Sequence, residues 1–370
     1  MAEPFVKKTY YAMTLDPVHV GTGGYRLGRV DNTIVREPGT NIPKIPGSSI
    51  SGAARAYTAM AVQSEDPSKE KYQKIIEIRK SDGTKEQKIY SCAGKGAEDG
   101  DGHCGRADCE VCVPFGFSKK GNSFQGLAQF YDARILFFPV HSMIGPVWVT
   151  SCSGLNDFQK SLERQSGVIF KCEPDLIIED DTKVVTDLKV QNDKLNLGWL
   201  YLENSKKVKP VSSHNLKIES TIIDRIIVVS DKLFSQIVND NLEVRTSVAI
   251  DPATGAAESG ALYTYEAIPR ATVMWFDVVY NKPKFFRING TQEISFSLPT
   301  PPKIYREPFG RSVSSPDDIG IMAFNVEKGL NYFESLGVGG MNTRGMGRLR
   351  VLNLSKVSPV TTEVNAGGAK

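Results

Sequence analysis

In NIPKIPGSSISGAAR the prolines Pro43 and Pro46 hold the chain extended up to Gly47, and a run of good helix formers follows. This abrupt switch is the feature around which the sequence is organised. Ser48 and Ser49 are both capping residue types, so a helix is expected from Ile50 to about Gln63. Free backbone N–H groups, two hydroxyls and Lys44 would then converge on one helix N-terminus, a favourable place for a phosphate. Just upstream, Asp31 stands among Arg26, Arg29 and Arg36 in a run with too many turn signals for a core strand. It is read as an exposed loop acid, with turn capping or pairing to Arg29 as its structural alternative.

The chain has 370 residues, 40% of them hydrophobic, which suffices for a sizeable core in one elaborated domain or in two or three. A net charge of +3 is only mildly basic, so any case for nucleic-acid binding rests on local clusters. The N-terminal stretch lacks a signal-peptide core, and the longest apolar run, Ile135 to Val140, cannot cross a bilayer. A cytoplasmic protein without a membrane partner is expected. In that reducing compartment clustered cysteines point to metal rather than to disulfides.

Four cysteines follow the spacing Cys92-x11-Cys104-x4-Cys109-x2-Cys112, with His103 beside them. A short Gly/Asp-rich span cannot build a core, but its thiols can wrap one tetrahedral Zn²⁺. The fourth ligand is open between Cys92 and His103. All-sulfur ligation argues for a closed structural site and against a zinc enzyme acting on small molecules. Cys152 and Cys172 fall outside the pattern and are expected to be buried.

Tyr10 to Leu15 reads as the first strand, followed by the glycine turn PVHVGTGG, where His19 is expected to bond to backbone at a strand end. After the first helix a polar segment of mixed charge reads as an insertion, partly helical at most, and the whole of 61–117 is assigned to polar and zinc-binding insertion. GLAQFYDARILFFPVHSMIGPVWVTS carries the densest strand signals. Residues 157–240 carry no assignable chemistry. Val244 to Ile250 and Ala261 to Ile268 flank DPATGAAESG as a long hairpin, and Arg270 to Val279 is a core strand. A helix from Ile319 to Leu336 leads into GVGGMNTRGMGRLR, five glycines and three arginines without an acid, suited to lie along a phosphodiester chain. Val351 to Leu354 is read as the last strand and residues 357–370 as a disordered tail.

Several of these stretches resemble one family. IPGSSISGAAR is similar to the IPGSSLKGALR signature of the RAMP superfamily, the backbone proteins of CRISPR effector complexes, with Ser51 at the usual lysine. VDNTIVRE resembles the loop that carries the RNA-cutting aspartate of type III backbone subunits, and CVPFGF the run that closes their zinc insertions. DARILFFPVHS and WVTS, the hairpin RTSVAIDPATGAAESGALYTYEAIPR and the terminal glycine loop match further blocks of the family.

The resemblance implies an α+β fold over residues 1–356: a ferredoxin-like or RRM-like palm, an antiparallel sheet with helices on one face, carrying the zinc insertion and a thumb hairpin over 244–268. It implies guide-RNA binding by Arg29, Lys44, Ser48, Ser49 and Arg55 and by Gly339, Gly340, Arg344 and Gly345 of the loop 337–350. Ile250, Asp251, Thr254 and Ala256 would form the thumb, which splays a nucleotide of the guide–target duplex. Asp31 would cut target single-stranded RNA with a divalent cation such as Mg²⁺, beside structural Zn²⁺ on Cys92, Cys104, Cys109 and Cys112. Partners would be CRISPR guide RNA, target RNA and other effector subunits, including further RAMP backbones. A scaffold that binds the guide without cutting is the alternative.

Overall fold

The computed structural model describes residues 3–23, 30–65, 73–79, 85–94, 102–119, 121–162, 178–209, 216–257, 262–295, 305–306, 312–313 and 318–355. The expectations for Arg26, Arg29, Cys172 and the tail 357–370 fall outside these residues.

Two long strands form the centre. β1 (Phe5–Thr14) pairs antiparallel with β12 (Val273–Asn281), from Phe5 opposite Asn281 to Met13 opposite Val273. Strand residues alternate between faces, and on both strands each face is buried. Tyr10, Ala12, Phe276, Val278 and Tyr280 enter one core, while Tyr11, Met13, Val273 and Trp275 enter a second. The first strand extends five residues further upstream than the expected start at Tyr10 and carries Lys8, Thr9 and Thr14 into buried positions.

An eleven-stranded sheet grows from this pair. Its other strands are β2 (Lys44–Ile45), β3 (Ala128–Phe130), β4 (Ala133–Val140), β5 (Val147–Ser151), β6 (Lys183–Val185), β7 (Lys194–Leu197), β8 (Leu200–Lys206), β9 (Ile226–Val229) and β13 (Leu349–Val351). The order is β7-β8-β6-β9-β5-β4-β12-β1-β13, with β2 beside β4 and β3 beside β12. Two pairs, β6 with β8 and β9 with β5, are parallel, so the sheet is mixed rather than antiparallel.

Helices cover both faces, in contrast to the one-sided arrangement expected. The first core takes Ile50, Ala54 and Val62 of α1 (Gly47–Glu65) and Met322, Ala323 and Val326 of α5 (Asp318–Asn331). It also takes Leu233, Phe234 and Ile237 of α4 (Asp231–Asp240). The second core takes Leu155, Phe158 and Leu162 of α3 (Cys152–Leu162). Among the described residues no helix is long and apolar enough to cross a membrane.

The middle of the polar insertion is a hairpin, Gln73–Arg79 pairing antiparallel with Lys85–Ser91, and helix is confined to its ends, through Glu65 and over Cys112–Phe115. Between them the sequence places Asp82-Gly83, a hairpin signal that the mixed charge of the flanks obscures. The hairpin formed by β10 (Glu243–Ser247) and β11 (Tyr263–Ala267) is shorter than the expected spans and stands apart from the main sheet. The last expected helix is broken in two, Asp318–Asn331 and Phe333–Leu336.

Helices α1 and α5 cross where Gly329 lets the backbones meet. A Cβ at Gly329 would stand 2.2 Å from the Ala54 carbonyl oxygen and 2.4 Å from Thr58 Oγ1. Gly329→Ala is therefore expected to destabilise the protein by about 1–3 kcal/mol, as overpacking does, despite alanine's better helix propensity. Urea unfolding of the two proteins measures the difference.

Candidate nucleic-acid interface and metal centre

Strand β11 is the platform on which three separate loops meet. The first contains Asp31 and lies along β11 as an extra short strand. Asn32 N–H donates to the Thr264 carbonyl and Glu266 N–H to the Asn32 carbonyl, each at 3.0 Å. Asp31 completes the attachment: its Oδ2 accepts from Thr264 N–H at 2.7 Å and Thr264 Oγ1 at 2.9 Å, and its own N–H donates to that hydroxyl at 3.1 Å. The residue is exposed, and among the described residues no hydrogen bond uses its Oδ1.

These Thr264 hydrogen bonds, backbone first, hold the Asp31 carboxyl below its ordinary value of 3.8. A depressed folded-state pKa means that the attachment is in full force above that value and is lost as pH falls through the lowered one. At neutral pH Asp31 is an anion. Five residues on, Arg36 pairs with Glu266 at 2.8 Å and donates from Nε to Asn239 of α4 at 2.9 Å, tying the loop to both hairpin and helix.

The second loop follows β1. His19 is buried and its Nδ1 donates to the Glu266 carbonyl at 2.6 Å, with its ring edge-on to Tyr265 at 5.9 Å. The third is the glycine loop. Gly340 N–H donates to the His19 carbonyl at 2.8 Å. Gly339, at φ +89°, approaches that carbonyl so closely that a Cβ would lie 2.4 Å from it. Gly339, Gly340, Arg344 and Gly345 are all exposed.

The loop's arginines are not equivalent. Arg348 forks onto Asp16 and Arg350 pairs with Glu334 at 2.7 Å, so acids distant in sequence neutralise two cations in a stretch that has no acid of its own. Arg344 instead donates to the Tyr263 hydroxyl, with Ser247 Oγ at 3.5 Å, and lays its guanidinium 5.8 Å from the centre of the Tyr263 ring.

At the hairpin tip Asp251 organises a turn. Its Oδ1 accepts from Ala253 N–H at 2.8 Å and Oδ2 from Thr254 Oγ1 at 3.0 Å, while its N–H donates to the Ala256 carbonyl at 2.9 Å. Ile250 is 62% exposed and Leu262 67%, so the hairpin presents apolar side chains to solvent.

The start of α1 differs from the sequence expectation. The helix begins at Gly47, whose N–H is taken by Asp132 Oδ1 at 2.8 Å, so the cap comes from a distant acid and not from Ser48 or Ser49. Only glycine fits there, because a Cβ would lie 2.3 Å from the Phe130 carbonyl oxygen. Lys44 bridges Asp132 at 2.7 Å and Glu37 at 2.8 Å. Ser48 remains exposed and Ser49 half-buried. Arg55 points away from this end and into the cysteine module. Asp132, Thr264, Glu266 and Asp16 were missed by sequence reasoning; only the strand-breaking Asp132 left a signal, in the interruption between β3 and β4.

The four cysteines converge. Their Sγ atoms all lie within 4.8 Å of one another, and those of Cys104 and Cys112 are 3.7 Å apart. A tetrahedron of ~2.3 Å metal–sulfur bonds has edges of about 3.8 Å, so the donor set fits a tetrathiolate metal centre. Cys92 supplies the fourth sulfur. His103 Nδ1 is engaged by the Arg55 guanidinium at 3.0 Å instead. The thiols divide their charge unequally. Hydrogen bonds from Cys109 and Cys112 pull Cys104 down, whereas burial pushes Cys109 up and the bond to Cys104 pushes Cys112 up. A bound cation would let all four ionise. Cys152, expected to be buried, is half-buried.

The model of the RAMP superfamily matches residues 11–295. The chain belongs to the RAMP superfamily. This RAMP chain is 30% identical over 275 residues, 71% of its length and 77% of the relative's, to the CRISPR system Cmr endoribonuclease Cmr4 of Pyrococcus furiosus. Its fold is similar to a chain in a type III-B Cmr-beta complex bound to cognate target RNA, with a TM-score of 0.57 at 15% identity, covering 95% of this chain and 99% of the other. It is also similar to oligomeric Cmr4 from Pyrococcus furiosus, with a TM-score of 0.54 at 20% identity, covering 95% and 98%.

Purified protein is expected to carry about one thiolate-bound metal ion per chain. Replacing Cys109 and Cys112 together with serine should abolish metal retention and lower the unfolding temperature, as elemental analysis and calorimetry would record.

Proposed function

We propose that this RAMP chain is a guide-RNA-binding backbone subunit of a type III-B CRISPR effector and cuts guide-matched target RNA at Asp31. One observation carries the reading: the ionised, exposed carboxylate of Asp31 is anchored to strand β11 of the β10/β11 hairpin, onto which the glycine loop also docks. The similarity to a relative named as an endoribonuclease supports it.

In this reading the guide's phosphates lie along Gly339, Gly340, Arg344 and Gly345 and near Ser48 and Ser49. Side-chain hydroxyls and a guanidinium contact phosphates without reading bases, so binding is tolerant of sequence. The hairpin, with Ile250 exposed and Asp251, Thr254 and Ala256 setting its turn, wedges a target nucleotide out of the stack. Zn²⁺ in the tetrathiolate holds the insertion together.

RNA supplies the nucleophile. Once the splayed nucleotide reaches in-line geometry, its 2′-hydroxyl gives its proton to solvent, its oxygen bonds to the adjacent phosphorus, the bond from phosphorus to the 5′-oxygen breaks, and that oxygen takes a proton from solvent. The products are a 2′,3′-cyclic phosphate and a 5′-hydroxyl. Asp31, with Oδ2 held by Thr264, would be the residue that holds a divalent cation such as Mg²⁺. Such an ion would stabilise the charge that develops on the phosphate.

Asp31→Asn in an assembled complex is expected to bind matched RNA as well as the parent and to lose cleavage by at least ~100-fold, read on labelled RNA with analysis of the product ends. Undiminished cutting would remove Asp31 from the chemistry. Loss of assembly would reduce it to the hairpin clamp that its Thr264 bonds describe. Arg344→Glu is expected to weaken binding of unrelated RNA sequences equally and to reduce the salt dependence of binding by about one phosphate contact.

A further inference from the structure

The tetrathiolate poses a charge problem that its sulfurs cannot solve. Four thiolates around a divalent ion leave a net charge of about −2. Cys92, Cys109 and Cys112 are buried, and so is Glu110, whose Oε1 has no hydrogen-bond partner among the described residues. Among those residues three cations lie near. Arg106 is exposed and forks onto Asp108 at 2.9 Å through two nitrogens. Lys328 lies 4.0 Å from Glu110 and over the Phe324 ring.

Arg55 alone of the three reaches the backbone that carries the ligands. Its Nε donates to the Cys92 carbonyl at 2.8 Å, Nη1 lies 3.4 Å from the Phe115 carbonyl oxygen at the end of α2 (Cys112–Phe115), and Nη2 donates to His103 Nδ1 at 3.0 Å. One planar fork thus touches the segments that hold the first, second and fourth cysteines. Burial disfavours its charge, and all four sulfurs favour it.

We infer that Arg55 and His103 form the outer shell of the metal centre, Arg55 neutralising the tetrathiolate and fixing its loops, His103 holding the guanidinium in place. The inference rests on the cysteine cluster being a metal centre, and it gives Arg55 a role other than phosphate binding. It also joins two parts of the molecule. Arg55 lies about two turns along α1 from Gly47, and Phe115 stacks on Phe130, 5.6 Å between ring centres, whose carbonyl abuts Gly47. Metal loading and the placement of the α1 start are therefore linked through contacts on both sides.

The experiment is a Co²⁺ titration of metal-stripped full-length protein, followed by Zn²⁺ competition against a chromophoric chelator. The parent is expected to show thiolate-to-cobalt charge transfer and a tetrahedral visible band. Arg55→Met is expected to lose about 10- to 100-fold in Zn²⁺ affinity, the usual cost of removing an outer-shell partner, and Arg55→Lys less, because it keeps charge without the fork. His103→Phe should fall between the parent and Arg55→Met, which gives a second readout if Arg55→Met does not fold.

Parent protein without the cobalt signature would overturn the metal centre itself. A parent that binds and variants within twofold of it would overturn the outer shell alone. Loss of RNA affinity in Arg55→Met at unchanged metal affinity would return the side chain to phosphate binding.

Discussion

The antiparallel pairing of Phe5–Thr14 with Val273–Asn281 joins residues some 270 apart, and every part of the site hangs from its ends. At one end Thr14 Oγ1 accepts from Thr272 N–H at 2.9 Å and donates to the Pro269 carbonyl at 2.8 Å, closing the junction where the hairpin enters the sheet. The loop with His19 leaves the same end of the first strand. The glycine loop returns there too, since Leu349–Val351 pairs with Ala12 to Thr14. Three connections from distant parts of the sequence are thus delivered to one edge by a single pairing. Burial of that pair on both faces fixes its register, because a slip by one residue would exchange the two cores.

What could be read from sequence divides along chain distance. The cysteine cluster was legible because its ligands are covalently close and few folds can separate them. The glycine loop and the hairpin turn were legible because Gly, Asp-Pro and Thr-Gly have local conformational meaning. The cap of α1 was misread for the opposite reason. Ser48 and Ser49 satisfy every local rule, yet Asp132, brought alongside by the sheet, reaches the first N–H instead. A charged acceptor makes the stronger bond. Likewise no pattern near Asp31 announces Thr264, and none near Arg348 announces Asp16. The one-sided sheet was an error of analogy with small palms: α3 and the apolar run from Ile222 to Val229, which stands out from the polar residues around it, bury a second face.

Asp31 and the hairpin form one mechanical unit. A ring of hydrogen bonds joins the acid to Thr264, and Arg36 with His19 fastens the flanking backbone to Glu266. The geometry between hairpin and carboxylate is therefore set by these bonds. The short strand contributed by Asn32 matters here, because its backbone bonds hold whichever way the carboxylate turns.

The internal neutralisation of Arg348 and Arg350 bears on how such a chain sits on a polyanion. Two guanidinium groups already answered by Asp16 and Glu334 add little pull on phosphate, and the whole chain carries only +3. On the guide RNA proposed above, each copy would grip a few phosphates weakly and release few counterions. A row of such copies would gain from effective concentration what a single copy lacks in attraction. Occupancy would then rise steeply with strand length and protein supply, so that a short strand would shed the protein and a strand long enough for several neighbours would keep it.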